Sequence, residues 1–291
     1  MQLAGPRVFG PPADRDEAIA VLRTAVELGI THIDTSDYYG PYVTNEIIRE
    51  ALYPYPPALT IVTKVGSFRD EKGGWPHARS RDDLRRAVHE NLEHLGLDVL
   101  DVVNVRVGGV EGPTPGSIAE PFSAVAEMQQ EGLIRHLGIS TVSVEQVAEA
   151  RAIAPIVEVR NFYNIANRRD EGLVDSLAED GIAYVPYFPL GGFSPLQSDT
   201  LDDVAASLDA RPMSVALAWF TPALAEHPAD PGYVVGRAFA RERCGSGPGI
   251  ASRSDRAPEL DRRLTRQSLP TRSRGRQRQR PRAEEQQSRL R

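Results

Sequence analysis

Up to Trp219, the apolar positions of this chain switch repeatedly between a helical period and short unbroken runs. The stretch "RDEAIAVLRTAVELG" has apolar residues three and four apart and Gly29 as a stop, which predicts a helix. A short apolar run, "ITHID", comes next. It is followed by a second helical stretch, "TNEIIREAL", with Thr44 as its expected cap. The alternation continues with strand "ALTIVTK", a helix from Ser80 to Leu95 closed by Gly96, strand "DVLDVVNVRV" and helix "SIAEPFSAVAEMQQEG". Strand "LIRHLGIS", helix "SVEQVAEARAIA", strand "IVEVRNFYN", helix "EGLVDSLAEDG" and strand "IAYVPYFPL" extend it. Helical patterns in "TLDDVAASLDA" and "PMSVALAWF" close the series.

Such alternation predicts an α/β fold, with a parallel sheet and helices outside it. By itself it does not separate an open doubly wound sheet from a closed (β/α)8 TIM barrel. Two features favour the barrel. No G-x-G-x-x-G follows any strand, so the fingerprint of the open dinucleotide-binding sheet is absent. Polar or reactive residues also end strand after strand: Asp34, Lys64, Arg106, Ser140, Arg160 and Tyr187. A barrel gathers strand ends onto one rim, where its active sites lie. The expected barrel is incomplete. Only "MQLAG" stands where a first strand is needed, and the last β/α unit is not legible beyond Trp219.

Composition sets the broad class. With 291 residues, 41% hydrophobic and 25% charged, the chain reads as globular. No run approaches the ~18 apolar residues of a membrane span. The start has neither a basic segment nor an apolar leader core, so the expected compartment is the cytoplasm. One cysteine, Cys244, excludes a disulfide framework or a cysteine-rich metal site.

Charge divides the chain at Trp219. Of the 34 basic and 40 acidic residues, 16 arginines and 8 acids lie from Phe220 onward, leaving +8 there and -14 before it. Residues 1–219 are therefore read as the barrel and 220–291 as an arginine-rich tail without a period. A nucleic-acid-binding tail is one reading of that segment, ranked as unlikely, and a solvated extension is another. A shifted reading frame is weighted above both. Permitted codons for Phe220 to Ser246, read one base later, can encode a strand, a Gly-Thr-Ser-Ser turn and a helix, the unit a barrel lacks.

Candidate chemistry sits on the presumed rim. The chain has only two lysines, Lys64 and Lys72, so a lysine closing an apolar strand suggests a role. Lys64 could form a Schiff base if desolvated, or act as a fixed charge. A carboxylate at Asp34 would keep it charged and aimed, although "DTS" is also simple turn sequence. Tyr38 and Tyr39 follow in the next loop. A free tyrosine, with a pKa of about 10, is a poor acid at neutrality, and a nearby ammonium lowers that value. Acid, tyrosine and lysine on one rim make a proton-donating set. His89 and His94, five apart on one helix, read as surface residues, and His32 as a packing histidine.

The motifs "IDTSDYYG", "IVTK", "DVLDVVNVR", "LGIST", "VRNFYN" and "YFPLGG" occur in the order and spacing of the aldo-keto reductase superfamily, which residues 1–219 resemble. The resemblance implies an NADPH-dependent (β/α)8 enzyme reducing small aldehydes or ketones. The family's tyrosine lies five residues after its aspartate, so it maps to Tyr39 as proton donor, with Lys64 lowering its pKa and Asp34 holding Lys64. Tyr187 matches the residue that stacks on the nicotinamide, and Ser140 a contact to its carboxamide. Thr141 and Arg160 stand where the family usually has asparagine and glutamine. Pro189 and Gly191 fall where backbone could approach a phosphate. Arg106 replaces the usual histidine. A guanidinium does not titrate at working pH, but it can stabilise negative charge on a carbonyl oxygen or hold an anionic substrate. The competing readings are a relative that binds cofactor without turnover and a Schiff-base lyase using Lys64.

Overall fold

A computed structural model describes residues 3–109, 112–192, 196 and 198–225, with side chains to 220. The N-terminal stretch forms one 3-10 turn, Pro6–Val8, and no strand precedes the first helix among the described residues. Helix α1 (Arg15–Glu27) is capped by the Asp14 side chain, which accepts from the Glu17 N–H at 2.9 Å. Then come β1 (His32–Asp34), α2 (Val43–Leu52), β2 (Thr60–Val65), α3 (Arg81–Leu95) and β3 (Leu100–Arg106). Next are α4 (Ala119–Gln130), β4 (Ile134–Ser140), α5 (Val144–Ile153), β5 (Ile156–Arg160), α6 (Glu171–Glu179), β6 (Ala183–Tyr184), α7 (Asp199–Ser207) and α8 (Pro212–Ala225). Ser80 caps α3, and Ser143 forms a capping box with Gln146 at α5.

The six strands are all parallel and pair in sequential order, β1-β2-β3-β4-β5-β6. A doubly wound sheet reverses its strand order at a switch point. This one does not, so it is the incomplete (β/α)8 barrel. No pairing of β1 with β6 closes it among the described residues. Most strand positions are buried on both faces, as in parallel sheets, with exposed residues at Arg135, His136 and Val157 near the N-terminal ends of β4 and β5. Val103, Val105, Leu137, Ile139 and Val159 sit in one core with Leu22, Ile47, Leu84 and Phe122 from the helices.

Three local expectations are corrected. Thr44 does not cap α2. It lies inside the helix, buried, and the N-cap is Tyr42, with φ of 65° and no side-chain cap bond. The Gly40–Pro41 turn delivers the chain to the helix two residues early, and the Thr44 N–H already bonds to the Tyr39 carbonyl. The strand read in "IAYVPYFPL" contracts to Ala183–Tyr184. Past it the N–H groups of Val185 and Tyr187 still reach the carbonyls of Val159 and Asn161 at 2.9 and 3.0 Å, and Phe162 bridges to Tyr187, so the pairing with β5 continues irregularly. His94 is only partly exposed, because its ring packs on Tyr42 at 4.7 Å and bonds to Asp37.

The expected break after Trp219 falls within α8, whose Phe220 is buried in the core beside Tyr163. Residues 226–291, including Cys244, lie outside the described residues. No helix among the described residues is long and apolar enough to cross a membrane, and none of their His, Cys, Asp and Glu side chains forms a metal-binding group.

Candidate active site

The parallel register carries Asp34, Lys64, Arg106, Ser140 and Arg160 to one end of the sheet. Asp34, Arg106, Ser140 and Arg160 are the last residues of β1, β3, β4 and β5, and Lys64 is next to last in β2. Arg106 pairs in register with Ser140, and Ser140 with Arg160. Beyond β2 the chain turns through Gly66, whose φ is 99°. A Cβ there would lie 2.7 Å from the Arg106 carbonyl oxygen, so glycine lets the rim backbones cross closely.

At the centre lies a buried set of alternating charges. The Lys64 ammonium donates to Asp34 Oδ1 and Oδ2 at 2.7 and 2.8 Å, and to the Thr35 carbonyl at 2.7 Å. Arg160 Nη1 donates to Asp34 Oδ1 at 2.5 Å, and its Nε lies 3.5 Å from Glu158 Oε1. Glu158 also accepts from Asn104 Nδ2 at 2.9 Å and faces His32 Nε2 at 3.7 Å. Gly138 makes room for this arrangement, since a Cβ there would collide with Asn104 Oδ1. Burial alone would raise the Asp34 pKa, but Arg160 and Lys64 outweigh it and hold the carboxyl below its ordinary value. Lys64 is pushed down, first by burial and then by Arg160, against the pull of Asp34.

Tyr39 stands over this set, with the Lys64 ammonium 5.1 Å from its ring centroid. Tyr38 is buried and packs edge-on against Tyr39 at 5.4 Å and Trp75 at 5.5 Å. The expectation that Lys64 lowers the Tyr39 pKa is corrected: the phenol is pushed up to about 12. Burial is the main cause and Asp34 adds to it, while Arg160 and Arg106 oppose. The Lys64 charge acts instead on Tyr38, favouring its ionised form against the larger effect of burial.

Residues assigned to the cofactor divide. Ser140 and Thr141 are buried side by side, their hydroxyls 3.3 Å apart. Thr141 is held at φ of 61°, with its N–H on the Arg160 carbonyl at 2.7 Å. A non-glycine residue in that region costs about 1–3 kcal/mol, a strain found at functional positions. Tyr187 stacks on Phe162, centroids 5.8 Å apart and planes 16° from parallel, and is only partly buried. That aromatic platform beside buried hydroxyls fits a nicotinamide ring and its carboxamide. Arg160 does not fit there, because its side chain turns inward to Asp34 and Glu158. The Gly191 N–H is taken by the Phe188 carbonyl at 3.0 Å, and Pro189 is only partly buried in the same loop.

Sequence reasoning missed Arg69, Trp75 and Arg79, which the loop after β2 brings to the rim, and the pairing of Asp37 with His94 at 2.9 Å. The length of the Gly66–Ser80 loop was the available signal, since βα connections usually run about two to six residues.

An incomplete parallel (β/α)8 barrel with an acid, a lysine and a tyrosine gathered on one rim places the chain among barrel enzymes. A sequence model described as the aldo/keto reductase family matches residues 1–228, and the chain belongs to that family of oxidoreductases. Family members act on small carbonyl compounds with a nicotinamide cofactor. The chain is 65% identical over 221 residues to pyridoxine 4-dehydrogenase of Escherichia coli, covering 75% of this chain and 77% of that protein. It is also similar to the crystal structure of a thermostable aldo-keto reductase, Tm1743, complexed with the inhibitor epalrestat. That match has a TM-score of 0.67 at 28% identity, covering 90% of this chain and 92% of that one. An aldo-keto reductase from Klebsiella pneumoniae solved with NADPH shares the fold, with a TM-score of 0.65 at 21% identity, covering 91% and 88%.

Proposed function

We propose that this chain interconverts a small aldehyde or ketone and its alcohol with NADP as cofactor, Tyr39 being the proton donor, in a cytoplasmic setting. The observation that carries the reading is the Asp34–Lys64 pair directly beneath the Tyr39 ring. Ser140 and Thr141 would hold the carboxamide of the nicotinamide, and Tyr187 would lie against its ring. When bound, the nicotinamide supplies the hydride.

The work of the chain's own residues follows from their electrostatics. With its pKa pushed up to about 12, Tyr39 carries its proton at any working pH. An alkoxide forming on the carbonyl oxygen is far more basic than a phenolate, so the Tyr39 proton moves to it and the alcohol is neutral. Arg160 and Arg106, which favour the ionised phenol, stabilise the phenolate left behind. Lys64 contributes by pinning Asp34, whose free charge would oppose that phenolate.

The identity to pyridoxine 4-dehydrogenase makes pyridoxal the first substrate to try. The test is NADPH consumption with pyridoxal and simple aromatic aldehydes, comparing the native chain with Tyr39→Phe. Loss of a positioned proton donor lowers kcat by about 10²–10⁴-fold. Equal rates would remove Tyr39 from the mechanism.

A second proposal concerns residues 220–291. They are read as a frame-shifted translation of the last β/α unit, which in this family grips the adenosine phosphate. The coding DNA around Trp219 decides it: a frame incompatible with that unit ends the idea.

A further inference from the structure

The Gly66–Ser80 loop builds a feature that the reduction step does not use. Arg69 is buried, with its guanidinium carbon 3.7 Å from the centroid of Trp75. Arg106, from the end of β3, approaches the same ring at 5.5 Å and the Tyr38 ring at 5.9 Å. Trp75 in turn stands edge-on to Tyr39 at 6.3 Å. Arg79 is half-buried, with Nη2 2.6 Å from His77 Nδ1. The Nε atoms of both Arg69 and Arg79 are buried without a hydrogen-bond partner.

Arg106 lies within electrostatic reach of both Arg69 and Arg79, so the three guanidiniums crowd together. None makes an ion pair with a carboxylate among the described residues. Asp70 is adjacent in sequence and favours the charged Arg69, but its Oδ1 accepts from the N–H groups of Lys72 and Gly74 at 3.0 and 2.6 Å. The cations also repel one another: burial, then Arg106, weakens proton binding at Arg79. Arg69 is the buried member of the three, and its Nη2 donates to the neutral Arg7 carbonyl at 2.9 Å rather than to a carboxylate. Charge held out of water without an ion-pair partner is costly. A bound oxyanion would remove that cost, and a guanidinium fork suits a carboxylate or phosphate.

We propose that Arg69 and Arg106, set around Trp75, together with Arg79 close to Arg106, form an anion subsite beside Tyr39, and that the preferred substrate carries a carboxylate or phosphate monoester in addition to its carbonyl group. The proposal rests on the reading of Tyr39 as the proton donor to a carbonyl substrate. It goes further by naming what else that substrate must carry.

The experiment compares matched pairs of aldehydes: 4-formylbenzoate against its methyl ester, and pyridoxal 5'-phosphate against pyridoxal. The anionic member of at least one pair is expected to have a kcat/KM about tenfold higher, carried by KM. Which pair shows it tells carboxylate from phosphate. Arg79→Met and Arg69→Met should narrow that ratio, and Arg69→Lys should restore part of it. Equal or better use of both neutral members overturns the subsite, as does a ratio that neither methionine variant changes. If no aldehyde of either pair is reduced, the catalytic reading fails, and calorimetric titration of the same four compounds decides the subsite separately. Binding of an anionic member alone, weakened in Arg79→Met, supports it. Absence of binding, or equal binding within each pair, overturns it.

Discussion

Around Asp34 two cations and two carboxylates alternate within hydrogen-bond or ion-pair reach, whereas Arg69 and Arg106 at Trp75, and Arg79 near them, make no ion pair with a carboxylate among the described residues. Both regions bury arginine on the same rim, yet their electrostatics differ in kind. In the first, Lys64–Asp34–Arg160–Glu158 is a chain of opposite signs, extended by Asn104 and His32. Its charges are paired with one another, although Arg160 Nε makes no hydrogen bond, so it can serve as a fixed support for Tyr39. In the second, the positive charge is left over. A protein can afford to bury charge when the sequence supplies the partner, or when a ligand does, and the two regions are these two solutions side by side.

The largest effect should come from breaking the first region at its shared carboxylate. Asp34→Asn leaves Lys64 and Arg160 facing each other without the charge between them. Removing one partner of a buried ion pair costs about 3–5 kcal/mol. Urea unfolding should register that loss, together with a strongly reduced reduction rate. A stable, fully active Asp34→Asn protein would mean that the alternation is incidental.

Arg160→Met should cost less, about 1–3 kcal/mol, the penalty of a buried acceptor losing its partner. Asp34 keeps Lys64, and Glu158 keeps Asn104. The substitution also removes a charge that favours the Tyr39 phenolate, so kcat should fall more than KM changes. If Arg160 held the cofactor instead, the loss would appear in the KM for NADPH.

A smaller effect is expected at Asp37, behind the rim. Burial is the main cause raising its pKa from 3.8 to about 6. Glu90 adds to the rise, while His94 and Asn45 oppose it. A carboxyl raised in the folded state gives stability that is full below its unfolded pKa and lost as pH climbs through the folded one. The melting temperature contributed by Asp37 should therefore decline between about pH 4 and 6. Asp37→Asn should flatten that decline, and an unchanged slope would assign it to other groups.

The rim was legible because each of its residues closes an apolar run, and parallel strands in sequential order carry such ends to one edge. Asp34, Lys64, Arg106, Ser140 and Arg160 needed nothing more to be placed together. What each one faces was not legible. Arg160 reaches Asp34 across 126 positions of sequence, and strand period says nothing about which side chains meet inside a barrel. The Tyr39 shift was misjudged because counting nearby charges omits burial, the larger effect here, and because the Lys64 charge acts on Tyr38 instead. His94 looked solvent-facing because helix spacing locates a face without saying that α2 and the loop before it cover that face. The Gly66–Ser80 loop has no period at all, so its arginines and tryptophan carried no pattern to read.

The smallest expected effect has the sharpest bearing on the contrast, because its sign should differ. Arg79→Met removes one guanidinium from a region where like charges crowd together and no carboxylate loses a partner. Stability should stay within about 0.5 kcal/mol of the native chain, or rise, as for substitutions away from paired features. Any gain should shrink as salt is added, since ionic strength screens the repulsion that the substitution relieves. Arg160→Met, on the same rim, should lose stability at every salt concentration, because a buried partner is orphaned and salt does not reach it. Parallel urea titrations of the two variants at low and high ionic strength make the comparison directly. Losses of the same size in both would mean that Arg79 has a structural partner, and the surplus charge around Trp75 would no longer set that region apart.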